Sequence, residues 1–411
     1  MARILSSRST GSRTGVVIAL GSAQTLAWAS SYYLAAMLAA PMARDLGVPV
    51  ATVFGAFSVA LLVSALLGPF AGRAIDRWGG RPVLMATSLV FAAGLAALGL
   101  AQGPLGLFLA WIVIGVGMGS GLYEAAFSAL VHLYGRDSRN AITGITLLGG
   151  FASTVGWPLS SLLEAQIGWR GACFAWAALH LCAGLPLNAG LPRTATWPAE
   201  PTDSLPGASR ATPAPPSAAP RVAWILAFVF AITWFVSTAM AAHLPRLLQL
   251  SGATLAGAVA MGALVGPAQV AGRLLEFGVL RRIHPLLSAR LAALLHPAGA
   301  TLLGVAGASM AAPFAILHGA GNGILTIAKG TLPLVFFGPQ GYGLRQGILM
   351  VPARLAQALS PWVFGLALDR WGMTALWLSA GLGLTAFLAL LLLPRMAERG
   401  AGSQAGAPHR A

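Results

Sequence analysis

Charge is scarce in this chain, and lysine is scarcer still. Only 9% of its 411 residues are charged, ten are acidic, and of 25 basic residues Lys329 is the one lysine, leaving 24 arginines. Soluble domains carry about 25% charged residues, so an ordinary soluble domain is excluded. The two cysteines, Cys173 and Cys182, are nine positions apart, roughly 13.5 Å along a helix and too far for a disulfide. They read as buried apolar residues or, on a second reading, as thiols for a metalloid. There is no Gly-x4-Gly-Lys-Ser/Thr phosphate loop, no His-Glu-x-x-His and no Cys-x-x-Cys, which excludes the usual nucleotide-driven pumps, zinc hydrolases and dithiol redox proteins. Neither a cofactor, a metal nor an enzymatic activity is expected.

What the chain has instead is apolar residues, 57% of the total, with a mean hydropathy of +0.78. Windows of about 20 residues place apolar spans at 16–39, 50–72, 82–102, 105–132, 143–163, 171–191, 222–243, 253–275, 288–310, 313–337, 346–367 and 373–394. These runs are too long and too uniformly apolar for barrel strands. The expected fold is all-α and integral to the membrane, with twelve transmembrane helices. The net charge of +15 does not point to nucleic acid. With the N-terminus inside, eighteen arginines fall on one side, Arg44, Arg170, Arg246 and Arg370 fall on the other, and Arg273 and Arg354 lie within spans. That asymmetry puts both termini in the cytoplasm of a bacterial inner membrane, with anionic lipid as a neighbour. The arginine-rich start imitates a signal peptide, but its apolar run is span-length and no small-residue cleavage site follows, so it is expected to be retained.

Seven prolines among Ala, Ser and Thr mark 193–221 as a cytoplasmic linker that buries no core. It separates a six-span bundle at 1–192 from a second at 222–411 with a short cytoplasmic tail. The two repeat each other. Gly115, Gly117 and Gly119 recur as Gly319, Gly321 and Gly323; Ala71-Gly72-Arg73 with Asp76 recurs as Ala271-Gly272-Arg273 with Glu276; Trp28 matches Trp234 and Pro158 matches Pro361. Near-constant offsets of 200 to 206 indicate a duplication, as in transporters that rock two halves about a central site.

The stretch Gly72-Arg73-Ala74-Ile75-Asp76-Arg77-Trp78-Gly79-Gly80-Arg81 closely resembles the signature loop of the major facilitator superfamily, and Gly272 to Arg282 resembles its weaker second copy, with Glu276 in place of Asp. Gly149 to Pro158 resembles a degenerate glycine-proline motif of that family. Span 4 through Gly168-Trp169-Arg170-Gly171 looks most like the monocarboxylate and oxalate/formate branch. The resemblance implies a gate in the loop, with Gly72, Asp76, Arg77, Arg81, Arg139, Arg273 and Glu276 as its residues. Asp76 can accept from a neighbouring helix terminus and pair with Arg81 or Arg139, or the loop is only anchored by exposed ion pairs.

Polar stripes mark candidate pathway faces, since lipid-facing sides exclude them. His318, Asn322, Thr326 and Lys329 share one helix face, as do Ser120, Glu124, Ser128 and His132. The 204 offset sets Glu124 opposite Ala328, next to Lys329. Gln24, Trp28, Ser31 and Tyr32 in span 1, Tyr123 in span 4, and Thr233, Ser237 and His243 in span 7 complete the set, because spans 1, 4, 7 and 10 line the cavity in the family resembled. Ser128 and Thr326 are expected to bond their own helix carbonyls. Glu124 beside Lys329 is either a proton carrier or a permanent lock between the halves. Lys329 itself reflects either arginine-biased codon usage or a special role. Arg354, eight or so residues into span 11, either binds an anion or snorkels. The expected substrate-binding residues are therefore Lys329, Arg354, Asn322, His318, Gln24, Trp28, Tyr32 and Tyr123, with Glu124 for proton coupling.

The expected function is a monomeric secondary transporter of a small organic anion, driven by a proton gradient through alternating access. Two alternatives stand beside it: a proton-driven exporter of a drug or metalloid, and a membrane sensor that transports nothing.

Overall fold

The computed structural model describes residues 12–193 and 219–393. The first eleven residues, the proline-rich stretch 194–218 and the tail from 394, with the arginines they carry, lie outside the described residues. The helices are α1 (Arg13–Ser30), α2 (Leu34–Leu46), α3 (Val50–Trp78), α4 (Gly80–Leu100), α5 (Gly103–Gly121), α6 (Tyr123–Tyr134), α7 (Arg139–Gly149), α8 (Ala152–Leu179), α9 (Leu185–Ala189), α10 (Ala219–Leu250), α11 (Leu255–Gly262), α12 (Val265–Gly278), α13 (Pro285–Ala306), α14 (Ala311–Phe337), α15 (Tyr342–Trp371) and α16 (Ala375–Leu391). Among the described residues there is no strand. Seven helical stretches are long and apolar enough to cross a membrane by length and composition, and 103–189, 285–337 and 342–391 each run through more than one helix.

Each side of the proline-rich stretch has its own apolar core, one around Trp111, Phe91 and Trp176, the other around Phe230, Phe314 and Phe364. The outside is apolar as well: Leu66, Phe70, Val305 and Trp362 are 65–78% exposed, a belt suited to lipid.

The repeated glycines explain how the two segments pack alike. A Cβ on Gly115 or Gly119 would strike the backbone of Ala60 or Ser64 on α3, and one on Gly319 or Gly323 would strike that of Val265 or Gln269 on α12. Small residues let backbones approach where no hydrophobic force between helices exists, and here the partners repeat at an offset of 205, within one residue of the 204 of the glycines.

Several apolar spans expected to be continuous are broken. The first divides at 31–33, the fourth at Leu122, the fifth at 150–151 and the eighth at 263–264. Leu122 is extended (φ −81°, ψ −167°), just after Gly119-Ser120-Gly121, where helix propensity is poor. The chain reverses at Gly168 (φ 71°), a left-handed position that glycine occupies without strain. A π-helical turn at His180–Gly184 separates α8 from α9. Cys173 is buried as expected, but Cys182 on this turn is exposed, because it faces outward from the bundle.

Candidate substrate site and gates

The middle of the molecule is built by six helices from both segments. Trp28 of α1 and Trp234 of α10, repeat equivalents, stack on each other with planes 8° apart and centroids 6.3 Å apart. Tyr123 lies 5.0 Å from Trp28 and Tyr32 lies 5.4 Å from it. Lys329 is 4% exposed and places Nζ 4.2 Å above the Trp234 ring. A desolvated cation–π contact of this kind contributes roughly 2 kcal/mol, close to offsetting the roughly 2.5–3.5 kcal/mol for a charge at mid-membrane. The lysine therefore turns inward rather than to lipid.

Glu124 opens α6, just past the Leu122 break, and its carboxylate accepts from Arg354 Nη2 at 2.7 Å. Glu124 acts on the Lys329 charge, as expected of neighbours, but its ion pair is with Arg354: the 204 offset gives equivalence under the repeat, whereas α15 is the helix that faces α6 most closely. Arg354 also donates to Gln357 (2.9 Å), lies 5.2 Å from the Trp234 ring, and is buried rather than snorkelling. Glu124, Arg354 and Arg273 are the charged groups around Lys329.

Arg273 also differs from expectation. It was expected at the gate, but its buried guanidinium lies against Gly150 at the α7–α8 break, a place that only a glycine leaves open, and its charge acts on Tyr123. Lys329 Nζ, Arg273 Nε and Nη1, Trp28 Nε1 and Trp234 Nε1 are all buried without a hydrogen-bond partner. Every one of these atoms is a donor.

Three other expected site residues are used elsewhere. Gln24 donates to the Gly121 carbonyl at 2.7 Å, satisfying a group freed by the Leu122 break, so it serves the backbone. His318 bonds His296 of α13, and Asn322 lines a cavity of about 30 Å³ with both histidines. That cavity lies among α10, α13, α14 and α16, inside the C-terminal segment, so these two residues do not face Glu124. Ser128 and Thr326 bond the carbonyls of Glu124 and Asn322, as expected.

The gate residues gather at the end carrying Arg77, Arg81, Arg139, Arg281 and Arg345. Asp76 accepts from the backbone N–H groups of Gly343 and Leu344, both at 2.8 Å, at the start of α15, and Gly72 lies directly on Gly343. The helix-terminus expectation holds, and the arginine partners do not: among the described residues Asp76 forms no ion pair with Arg81, and Arg139 pairs instead with Glu276 at 2.9 Å, while Arg77 lies over Trp78. Arg139 also donates to the carbonyls of Arg281 and Ile283, and Ser288 donates to Glu276. At the opposite end, the ion pairs Asp45–Arg170 and Arg246–Asp369 each stay within one segment.

The sequence pattern of the Major Facilitator Superfamily matches residues 20–328. The chain belongs to this superfamily. As a superfamily member it is a multi-pass membrane transporter rather than an enzyme. It is 31% identical over 144 residues to Monocarboxylate transporter 3 of Rattus norvegicus, covering 34% of this chain and 29% of the rat protein. It is 32% identical over 121 residues to the Multidrug resistance protein MdtH of Aeromonas salmonicida, covering 29% of this chain and 30% of that one. The aligned stretches thus span less than a third of either relative. The fold matches the human organic anion transporter MFSD10 (TETRAN) with a TM-score of 0.71 over 93% of this chain and 100% of that one, at 17% identity.

Proposed function

We propose that this superfamily member is a secondary transporter of a small organic anion, working by proton-coupled alternating access between two six-span bundles, 1–192 and 222–411. The observation that carries the reading is the convergence of partnerless buried donors, from Lys329, Arg273, Trp28 and Trp234, around the Glu124–Arg354 pair. Buried donors without partners cost roughly 1–3 kcal/mol each, and a carboxylate, with about four acceptor positions, would satisfy several together. With Glu124 ionised, the four charged groups sum to +2, so an anion also relieves like-charge repulsion. The paired indoles would hold the apolar part of the substrate. The name of the rat relative, a monocarboxylate transporter, supports the same class.

In this reading the chain crosses a bacterial inner membrane twelve times, with the broken helices counted in single crossings. Residues 193–221 link the bundles in the cytoplasm, where both termini also lie, and the protein works as a monomer among anionic lipids. The arginine-rich end is then cytoplasmic, and the links at Asp76 and Glu276 belong to a state closed on that side.

Reconstituted protein should bind simple carboxylates such as lactate, pyruvate and benzoate, and Arg354→Ala and Lys329→Ala should each weaken binding ten- to a hundredfold. Unchanged affinity in both variants would overturn the anion site. The likeness to a multidrug resistance protein and the Trp28, Tyr32, Tyr123 and Trp234 lining favour one second reading, export of an aromatic toxic compound. Drug efflux without carboxylate binding would select it.

A further inference from the structure

The cavity inside the C-terminal segment contains a hydrogen-bond chain whose polarity can be deduced. Ser379 Oγ lies 2.8 Å from the Leu376 carbonyl, which only accepts, so the hydroxyl hydrogen belongs there. His296 Nε2, 3.2 Å from the same Oγ, must then be the donor. A neutral imidazole carries one N–H, so His296 Nδ1 is an acceptor, and His318 Nδ1, 3.0 Å away, donates to it. His318 is thereby fixed as the Nδ1–H tautomer. Its Nε2 carries a free lone pair and belongs to a residue that lines the cavity of about 30 Å³.

We infer that His318 Nε2 is a proton-binding site, distinct from Glu124, and that it takes up the proton coupled to transport. This rests on the proton-coupled reading above. Glu124 is already committed to Arg354, whereas His318 has an unused lone pair on the wall of a water-sized cavity. On protonation the proton bonds to Nε2, no other bond changes, and His318 Nδ1–H keeps its contact with His296. The new N–H has Asn322, Thr233 and Ser237 on the same cavity wall as acceptors. A second proton, on His296 Nδ1, would set two donors against each other, so the pair takes one.

The surroundings leave no carboxylate to compete. Across the cavity α10 presents Thr233 and Ser237, α16 presents Gly383 and Ala386, and neither α11 nor α16 has a charged residue. Arg290 of α13, Lys329 of α14, Arg273 and Glu276 of α12 and Arg221 of α10 lie toward the arginine-rich end, while His243 of α10 bonds the Pro361 carbonyl and Arg246 pairs with Asp369 toward the other. Lys329 is about 16 Å along α14 from His318 at 1.5 Å per residue. Lys329 lies on the packed side of Thr233 and Leu325, which also line the cavity. A charge on His318 therefore adds to the positive charge that α14 already carries at Lys329.

The test is ring-nitrogen NMR of the full chain in nanodiscs with 15N-labelled histidine, assigned by His318→Asn and His296→Asn. The expected result is an Nδ1–H tautomer for His318, an Nε2–H tautomer for His296, and protonation of His318 alone on acidification. An Nε2–H tautomer at His318, or no uptake there before the protein unfolds, would overturn the site whether or not any carboxylate is transported. In proteoliposomes, His318→Asn should leave lactate binding at fixed pH within about twofold while flattening the pH dependence of flux. Glu124→Gln should keep that dependence. The reverse pattern would return the coupling role to Glu124. Failure of lactate binding in the unmodified protein, with the tautomers as expected, would count against the anion reading and not against the histidine site.

Discussion

Asp76 and Glu276 hold equivalent places in the repeat, and each crosses to the opposite segment at the start of an equivalent helix, α15 or α7. The groups they hold differ. Asp76 takes two backbone N–H groups of α15, at Gly343 and Leu344, while Glu276 takes the side chain of Arg139, the first residue of α7. Arg139 and Gly343 are 204 positions apart, so the same geometry is served by an arginine on one side and a glycine on the other. The reason is helix separation. Gly72 lies on Gly343 and Gly347 lies on Gly68, which brings α3 and α15 into backbone contact, and a short aspartate suffices. Gly272 instead packs on Ala320 of its own segment, so α12 stands off from α7 and a glutamate and an arginine must span the gap. One closure is made of backbone and shape, the other of exchangeable side chains.

The comparison can be broken most strongly at Glu276. Its side chain is 4% exposed against 21% for Arg139, and removing one partner of a buried pair costs about 3 kcal/mol or more. Glu276→Ala should open the arginine-rich end, seen as a widened distance between spin labels on the ends of α3 and α13. Arg139→Glu combined with Glu276→Arg should recover most of the closed population, because that link runs between side chains. Next comes Gly72→Ala: its new methyl meets the Gly343 backbone, and overpacking of about 1–3 kcal/mol should separate α3 from α15 by the same readout. Asp76→Asn keeps one acceptor oxygen but loses the charge, and should cost about 1 kcal/mol; no substitution on α15 should rescue it, since its partners are backbone. Smallest is Arg139→Lys, which keeps the charge but loses the fork that also reaches the Arg281 and Ile283 carbonyls. About 0.5–1 kcal/mol is expected, as a slight shift in the label distances. Rescue of Asp76→Asn by a charge on α15 would end the distinction between the closures.

Long apolar spans and repeated glycines made the helical class and the internal duplication legible, because burial and close packing leave composition and spacing behind. The helix breaks were harder to read. Leu122 is an ordinary helix former, and its extended backbone depends on Gln24, far away in sequence, taking the Gly121 carbonyl. The same limit applied to partners. The repeat relates Trp28 to Trp234, and they do touch, because α1 and α10 lie beside the axis between the segments. It also set Glu124 opposite Lys329, yet Arg354 is the partner, because equivalence under a repeat does not state which helices face each other. The polar stripe on α14 does form one face, and that face looks onto α10 and α13. Lys329 reaches the centre only through the length of its stem. Arg273 was placed by its nearness to the loop motif, and the glycine gap at 150 that admits its head has no signal of its own.

Because the chain carries one lysine, and that lysine lies over Trp234, a single ε-amine reports on the centre of the molecule. An amine-acylating reagent followed by peptide mass spectrometry would modify Lys329 at a rate set by how often the site opens and empties. Carboxylates that occupy the site would then be found as compounds that slow one acylation, with no transport assay and no engineered label.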